Sequence, residues 1–102
     1  IKSLDFFGNL EDILKVMSQY LDILMIRNHD HQQLIKLASL NTLPIINGLS
    51  DISHPCQILS DILTYEESNG LITGKTISWL GDGNNNMSNS LIEAAGKFNF
   101  NL

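Results

Sequence analysis

One cysteine, one arginine, one tryptophan and two prolines are all the chain has of these residues, and each scarcity removes a class of explanation. With Cys56 alone, no intrachain disulfide or multi-cysteine zinc site can form, which fits a reducing cytosol. No apolar stretch reaches the ~18 residues that would suggest a membrane span, so none is expected. Positive charge is also thin: Arg27 and five scattered lysines (Lys2, Lys15, Lys36, Lys75, Lys97) face 11 acidic residues, for a net charge of -5. A polyanion meets net repulsion, so nucleic acid is not an expected partner. Nothing reads as a secretory signal, so a cytoplasmic location is expected, and the glycosylation triplet Asn86-Met87-Ser88 reads as a chance match. Ile1 in place of a methionine points to a truncated or processed end.

What is present is the composition of a packed protein, 43% hydrophobic and 17% charged, rather than that of a disordered tail. At 102 residues it buries at most roughly two-thirds of its unfolded surface, so its core is modest. Leu10, Ile13, Leu14, Met17, Tyr20 and Leu21 recur at three- and four-residue spacing and predict a helix over about 10–20. Ile23 to Ile26 is too short for a helix and reads as a buried parallel strand. Residues 31–39 place Leu34, Leu37 and Ala38 on one helical face, and Leu43 to Ile46 gives a second short run, completing a βαβ unit. Pro55 suits the first turn of a helix over 55–68, with Gly70 as its cap. Thr76 to Leu80 reads as a third strand, Met87 to Phe98 as a helix with Leu91, Ile92, Ala94 and Ala95 on its apolar face, and Phe100 to Leu102 as the start of a fourth strand. Alternation of this kind favours an α/β fold with mostly parallel sheet and covering helices. Helix 55–68 lies between two connectors and could equally join two separate sheets.

The residues that could carry chemistry cluster at strand and helix ends. Arg27, the sole arginine, closes the first predicted strand, where open α/β sheets present ligand-binding groups, and its planar charge suits phosphate or carboxylate. The competing reading is a surface arginine. His54 and Gln57 are three apart and share one side of a helix's first turn, where unpaired N–H groups and the dipole favour an anion; alternatively His54 only caps the helix and Gln57 is solvated. Cys56 lies two positions from His54 and points elsewhere, so a thiolate–imidazole pair is rejected. It falls instead with Leu59 and Leu63 on an apolar face, as a small buried hydrophobe. His29 and His31 flank Asp30 without further ligands at a recognised spacing, so no metal site is assigned and both read as solvent-facing. Gly81-Asp82-Gly83-Asn84-Asn85-Asn86 sits between strand and helix as a dinucleotide fingerprint would, but Asn86 stands where the third glycine belongs. Its glycines still permit a tight turn that could hold a small zwitterion.

Together, Pro44-Ile45-Ile46-Asn47-Gly48-Leu49-Ser50-Asp51, His54-Pro55-Cys56-Gln57-Ile58-Leu59-Ser60-Asp61 and Gly81-Asp82-Gly83-Asn84-Asn85 resemble the ornithine carbamoyltransferases, over nearly the whole chain from about Leu10. Aspartate carbamoyltransferases share the His-Pro-x-Gln element but differ at the glycine turn. The resemblance implies parts of two Rossmann-like domains joined by a bridging helix: residues 1–52 ending the carbamoyl phosphate domain, 53–70 bridging, and 71–102 starting the ornithine domain. It implies transfer of a carbamoyl group from carbamoyl phosphate to L-ornithine, giving L-citrulline and phosphate, in arginine metabolism. Arg27, His54 and Gln57 match the family's carbamoyl phosphate ligands, with His54 also catalytic, and Asn85 matches its ornithine contact. No metal or organic cofactor is implied, and the full-length family is expected to be a homotrimer. The family's Ser-x-Arg-Thr loop would precede residue 1, and its Asp, Ser-Met-Gly and His-Cys-Leu-Pro elements would follow residue 102. Asn9 and Ile13 stand where Glu and Thr are usual. The competing reading, from another class, is a non-catalytic remnant that serves at most as a small ligand-binding domain; a nucleotide-binding domain built on the Gly81 turn is a third.

Overall fold

The computed structural model describes residues 9–102; Lys2 and the first eight residues of the expected first domain lie outside the described residues. The elements are α1 (Leu10–Met17), β1 (Leu24–Arg27), α2 (His31–Ser39), β2 (Ile45–Leu49), α3 (Pro55–Asn69) and α4 (Asn86–Phe98). The α/β expectation and the βαβ unit both hold: β1 and β2 are adjacent and parallel, with α2 connecting them.

The starts of the first two helices follow from their caps. The Asn9 side chain accepts the Glu11 N–H at 2.8 Å, and Glu11 and Asp12 add negative charge where the α1 dipole is positive. Asp30 caps α2 by accepting the Gln33 N–H. The first helix stops at Met17 rather than near residue 20, because Tyr20 and Leu21 have no partner to pack on and stay exposed. Leu14, Leu34, Leu37 and Leu43 close over Ile26 of β1, with Leu24 and Ile45 half-buried beside them. This core covers one face of the two-stranded sheet. The other leaves Met25 and Ile46, partners in the ladder, exposed.

A bulge sits at the carboxyl end of this sheet. Ile26 pairs with Asn47 but Arg27 pairs with Leu49, so Gly48 is skipped. A Cβ at Gly48 would lie 3.0 Å from Met25 Cγ and 3.2 Å from the Ile26 carbonyl oxygen. Only glycine lets the strands approach this closely.

A second core forms around α3 and α4, with Ile58, Ile62, Ile72, Leu91, Ala94 and Phe100 buried together. Here the face assignment for α3 is corrected. Leu59 and Leu63 are more than half exposed, and Ile58 and Ile62 are the buried pair. Both pairs are spaced i, i+4, so periodicity could not choose between them; α4 and Ile72 lie against the isoleucines and decide it. Gly70 ends α3 as expected, at φ +82° with its N–H donating to the Glu66 carbonyl.

The third strand expected at 76–80 is reduced to one parallel bridge between Thr76 and Asn101. Ile77 N–H donates to the Asn101 carbonyl, and Asn101 N–H to that of Lys75, both at 2.8 Å. Only Phe100 to Leu102 runs alongside, too little partner for a longer ladder. Asn99 turns the chain out of α4 in the left-handed conformation, φ 56°, which asparagine tolerates better than most residues.

Candidate functional site

Both strands end at one edge, and the chemistry-bearing residues collect there. Arg27, the last residue of β1, is exposed, and no ion pair involves it among the described residues. Next to it the Asn28 N–H donates to the Leu49 carbonyl at 3.0 Å and the Asp51 N–H to the His29 carbonyl at 2.9 Å. These bonds carry the strand pairing past the bulge and lay the 50–54 segment against the residues that follow Arg27.

That segment is built around a hydroxyl. Ser50 is fully buried; its Oγ accepts the Ser53 N–H at 3.1 Å and the Ile52 N–H at 3.3 Å, and lies 2.7 Å from His31 Nδ1. His31 is therefore not the solvent-facing residue its position at a helix start suggested. A His–Ser pair at this distance invites a nucleophile reading, but an inaccessible Oγ already taken up by loop amides cannot attack a substrate. Asn47 adds a second tie through Nδ2 to Ser53 Oγ at 2.9 Å.

His54 follows as the N-cap residue of α3, and its side chain makes no capping bond. Pro55 at the first helical position removes one orphan donor, and no side chain at the cap takes the remaining first-turn amides. The backbone N–H of His54 donates to Ser90 Oγ of α4 at 2.7 Å, and its Nδ1 is buried with no hydrogen-bond partner among the described residues. Gln57 is exposed and donates along its own helix to Asp61 at 2.9 Å. Cys56 is half-buried, with its thiol 3.4 Å from the Asn47 carbonyl oxygen.

Asn85 caps α4. Its Oδ1 accepts the Ser88 N–H at 2.9 Å, its N–H reaches Ser88 Oγ in return, and its Nδ2 donates to the Asp82 carbonyl at 2.9 Å. An amide has two donors and two acceptor sites, so one of each remains. Asp82 organises the turn before it: its carboxylate accepts the Asn84 N–H at 2.8 Å and its carbonyl accepts Trp79 Nε1 at 2.9 Å. The capping box takes up an N-terminal donor that a bound pyrophosphate would need, which weighs against a dinucleotide site.

Sequence reasoning missed the residues that join these parts. Asn86, Asn89 and Ser90 all bond to backbone groups of the 50–54 segment. The four buried polar residues among those described, Ser50, Ser53, Ser88 and Ser90, all belong to this region. A signal existed: positions 86, 89 and 90 form an i, i+3, i+4 polar stripe beside the apolar face of the same helix. An apolar hollow of about 180 Å³ is lined by Ile58, Ile62, Tyr65, Ile72, Trp79 and Leu91 with Asp61 at its edge, and none of Arg27, His54, Gln57 and Asn85 lines it. No group of three or more His, Cys, Asp or Glu side chains with metal-binding geometry occurs among the described residues, and no described helix is long and apolar enough to cross a membrane.

Residues 5–67 match the family described as aspartate/ornithine carbamoyltransferase, carbamoyl-P binding domain. A Brucella ovis protein named ornithine carbamoyltransferase is 52% identical over 93 residues, covering 91% of this chain and 30% of that protein. One from Mesorhizobium japonicum is 50% identical over the same length. Among solved structures, the ornithine carbamoyltransferase of Burkholderia thailandensis matches with a TM-score of 0.86 at 41% identity, over 97% of this chain and 34% of that one. The Pyrococcus furiosus ornithine carbamoyltransferase gives 0.80 at 44% identity, over 90% and 29%. The chain thus spans about 30% of the length of the curated relatives it matches.

Proposed function

The chain belongs to the aspartate/ornithine carbamoyltransferase family, and from that premise we propose that it supplies the central part of an ornithine carbamoyltransferase active site. The observation that carries this reading is convergence: the residues that follow Arg27 at the end of β1 bond to Leu49 and Asp51, Asn86 beside Asn85 bonds to Ser50, and the same segment leads into His54, itself bonded to Ser90 of α4.

In this reading Arg27, His54 and Gln57 hold carbamoyl phosphate, and Asn85 holds ornithine through its spare donor and acceptor. The ornithine side-chain amine attacks the carbamoyl carbon, and the new C–N bond forms as the bond from that carbon to the phosphate oxygen breaks. Phosphate leaves with the electron pair and the nitrogen gives up a proton, yielding citrulline. Negative charge gathers on the carbamoyl oxygen and the leaving phosphate. A fixed guanidinium and an imidazole donor stabilise it without reorganising, provided they are already in place. Exposed Arg27 has no ion pair among the described residues, which leaves its five N–H donors available for this. Gln57 would have to exchange Asp61 for substrate, a rotamer change on an exposed helix face.

The domain division at about residue 52, with α3 bridging to residue 70, is part of the same proposal. Two separate cores support it, and α3 packs with the second through Ile58 and Ile62. Homotrimer formation and a cytoplasmic setting are further family expectations.

The test has two arms. Titration of the chain with carbamoyl phosphate should give heat and thermal stabilisation, both measurably weakened in Arg27→Ala and His54→Ala. The chain completed with the remaining segments of the Brucella ovis relative should form citrulline. A completed chain that folds and stays inactive refutes the catalytic reading, and a silent titration removes the binding role.

A further inference from the structure

Three side chains of α4 reach out of the second half of the chain to the segment that carries His54. Asn86 Nδ2 donates to the Ser50 carbonyl at 3.0 Å, Asn89 Nδ2 to the Ile52 carbonyl at 2.9 Å, and Ser90 Oγ accepts the His54 N–H at 2.7 Å. The three positions lie on one helix face, next to Leu91 and Ala94, which seat α4 in its core. Ser90 is only 4% exposed, so its bond to His54 is shielded from competing water.

The His54 ring has no such support. A histidine that works on a substrate commonly has its other ring nitrogen oriented by a carbonyl or carboxylate. Here Nδ1 is buried without a partner among the described residues, and the His54 side chain makes no capping bond. Ring placement is therefore inherited from the backbone, and the described side chain that grips the His54 backbone is Ser90. Bonds from one helix face to the alternate residues Ser50, Ile52 and His54 fix the direction of the segment as well as satisfying its polar groups.

We propose that Ser90, with Asn86 and Asn89, is a positioning set that orients His54 for carbamoyl phosphate from α4, the helix that Asn85 caps. The proposal rests on the reading of His54 as a carbamoyl phosphate ligand. It assigns these residues no contact with substrate: they act through the 50–54 backbone.

A double-mutant cycle tests this, with carbamoyl phosphate titrated calorimetrically into the chain. Ser90→Ala should weaken binding roughly 5- to 10-fold, the effect of losing one shielded hydrogen bond, and Ser90→Thr, which keeps an acceptor oxygen, should recover most of it. In a His54→Ala background the same Ser90→Ala change should have no further effect, because nothing is left to orient. A merely structural serine would weaken both backgrounds alike, and that additive result overturns the proposal, as does unchanged affinity in Ser90→Ala. If Ser90→Ala does not fold, Asn86→Ala and Asn89→Ala enter the same cycle with a smaller loss and the same required non-additivity. A wild-type chain that gives no heat overturns the reading of the site and this proposal with it; wild-type binding with indifferent variants overturns the proposal alone.

Discussion

Alanine at Gly48 should destabilise the protein although it adds a single methyl group. The new Cβ would meet Met25 Cγ at 3.0 Å, Met25 Sδ at 3.3 Å and the Ile26 carbonyl oxygen at 3.2 Å. Met25 is 60% exposed and flexible, so its side chain can swing aside. The Ile26 carbonyl is part of the β1 backbone in the parallel ladder and cannot, so β2 must shift. Overpacking of this kind costs about 1–3 kcal/mol. Gly48 is not among the glycines with positive φ, so alanine also restricts the unfolded chain, a gain of about 0.4–1 kcal/mol. The net is a loss of roughly 0.5–2 kcal/mol, with each kcal/mol lowering the melting midpoint of a domain this size by about 4–8 °C. Urea and thermal unfolding measure it, and Gly96→Ala is the control. Gly96 lies within α4 with nothing within 4 Å of an added Cβ, so alanine there should stabilise by up to about 1 kcal/mol. Adding Met25→Ala to Gly48→Ala separates the side-chain contact from the backbone contact. A Gly48→Ala protein as stable as wild type, or gaining like Gly96→Ala, refutes the close approach of the strands.

Ile62→Ala should cost about 2–4 kcal/mol by opening the second core, while Leu63→Ala, one position on and more than half exposed, should stay within about 0.5 kcal/mol in the same urea titration. Asn85→Ala removes the α4 cap and should lose about 1 kcal/mol by thermal circular dichroism, with Asn85→Asp retaining most of it. Asn99→Ala should cost about 1 kcal/mol because its φ is positive, and Asn99→Gly should be neutral or stabilising, read from the same melts.

The elements were legible wherever a local pattern is enforced by a local partner. The βαβ unit, the helix after Pro55 and the Gly70 cap follow from spacing, proline and glycine chemistry alone, and the structure has them where expected within a few residues. What escaped depends on partners remote in sequence. Thr76 to Leu80 has the composition of a strand, but composition cannot supply a neighbour, and only one bridge forms. Leu59 and Leu63 match the spacing of Ile58 and Ile62, and which pair is buried is settled by α4, more than 20 residues downstream. At the site, Arg27, His54, Gln57 and Asn85 were singled out by type and motif. The residues joining them were not, because the polar stripe at 86, 89 and 90 marks a helix face without naming the distant backbone it bonds to.

The two cores share no buried residue, and beside the covalent connection and the contacts of α3 with β2, what spans them is the seam of serine and asparagine at residues 50–54 and 86–90. Oily seams adhere strongly but are indifferent to angle, since burial of apolar surface has no direction. Hydrogen bonds invert both properties: each contributes little net adhesion but accepts only a narrow geometry. The two halves are therefore keyed rather than glued. What the seam contributes is less adhesion than alignment: it sets the angle at which α4 meets the segment ahead of α3.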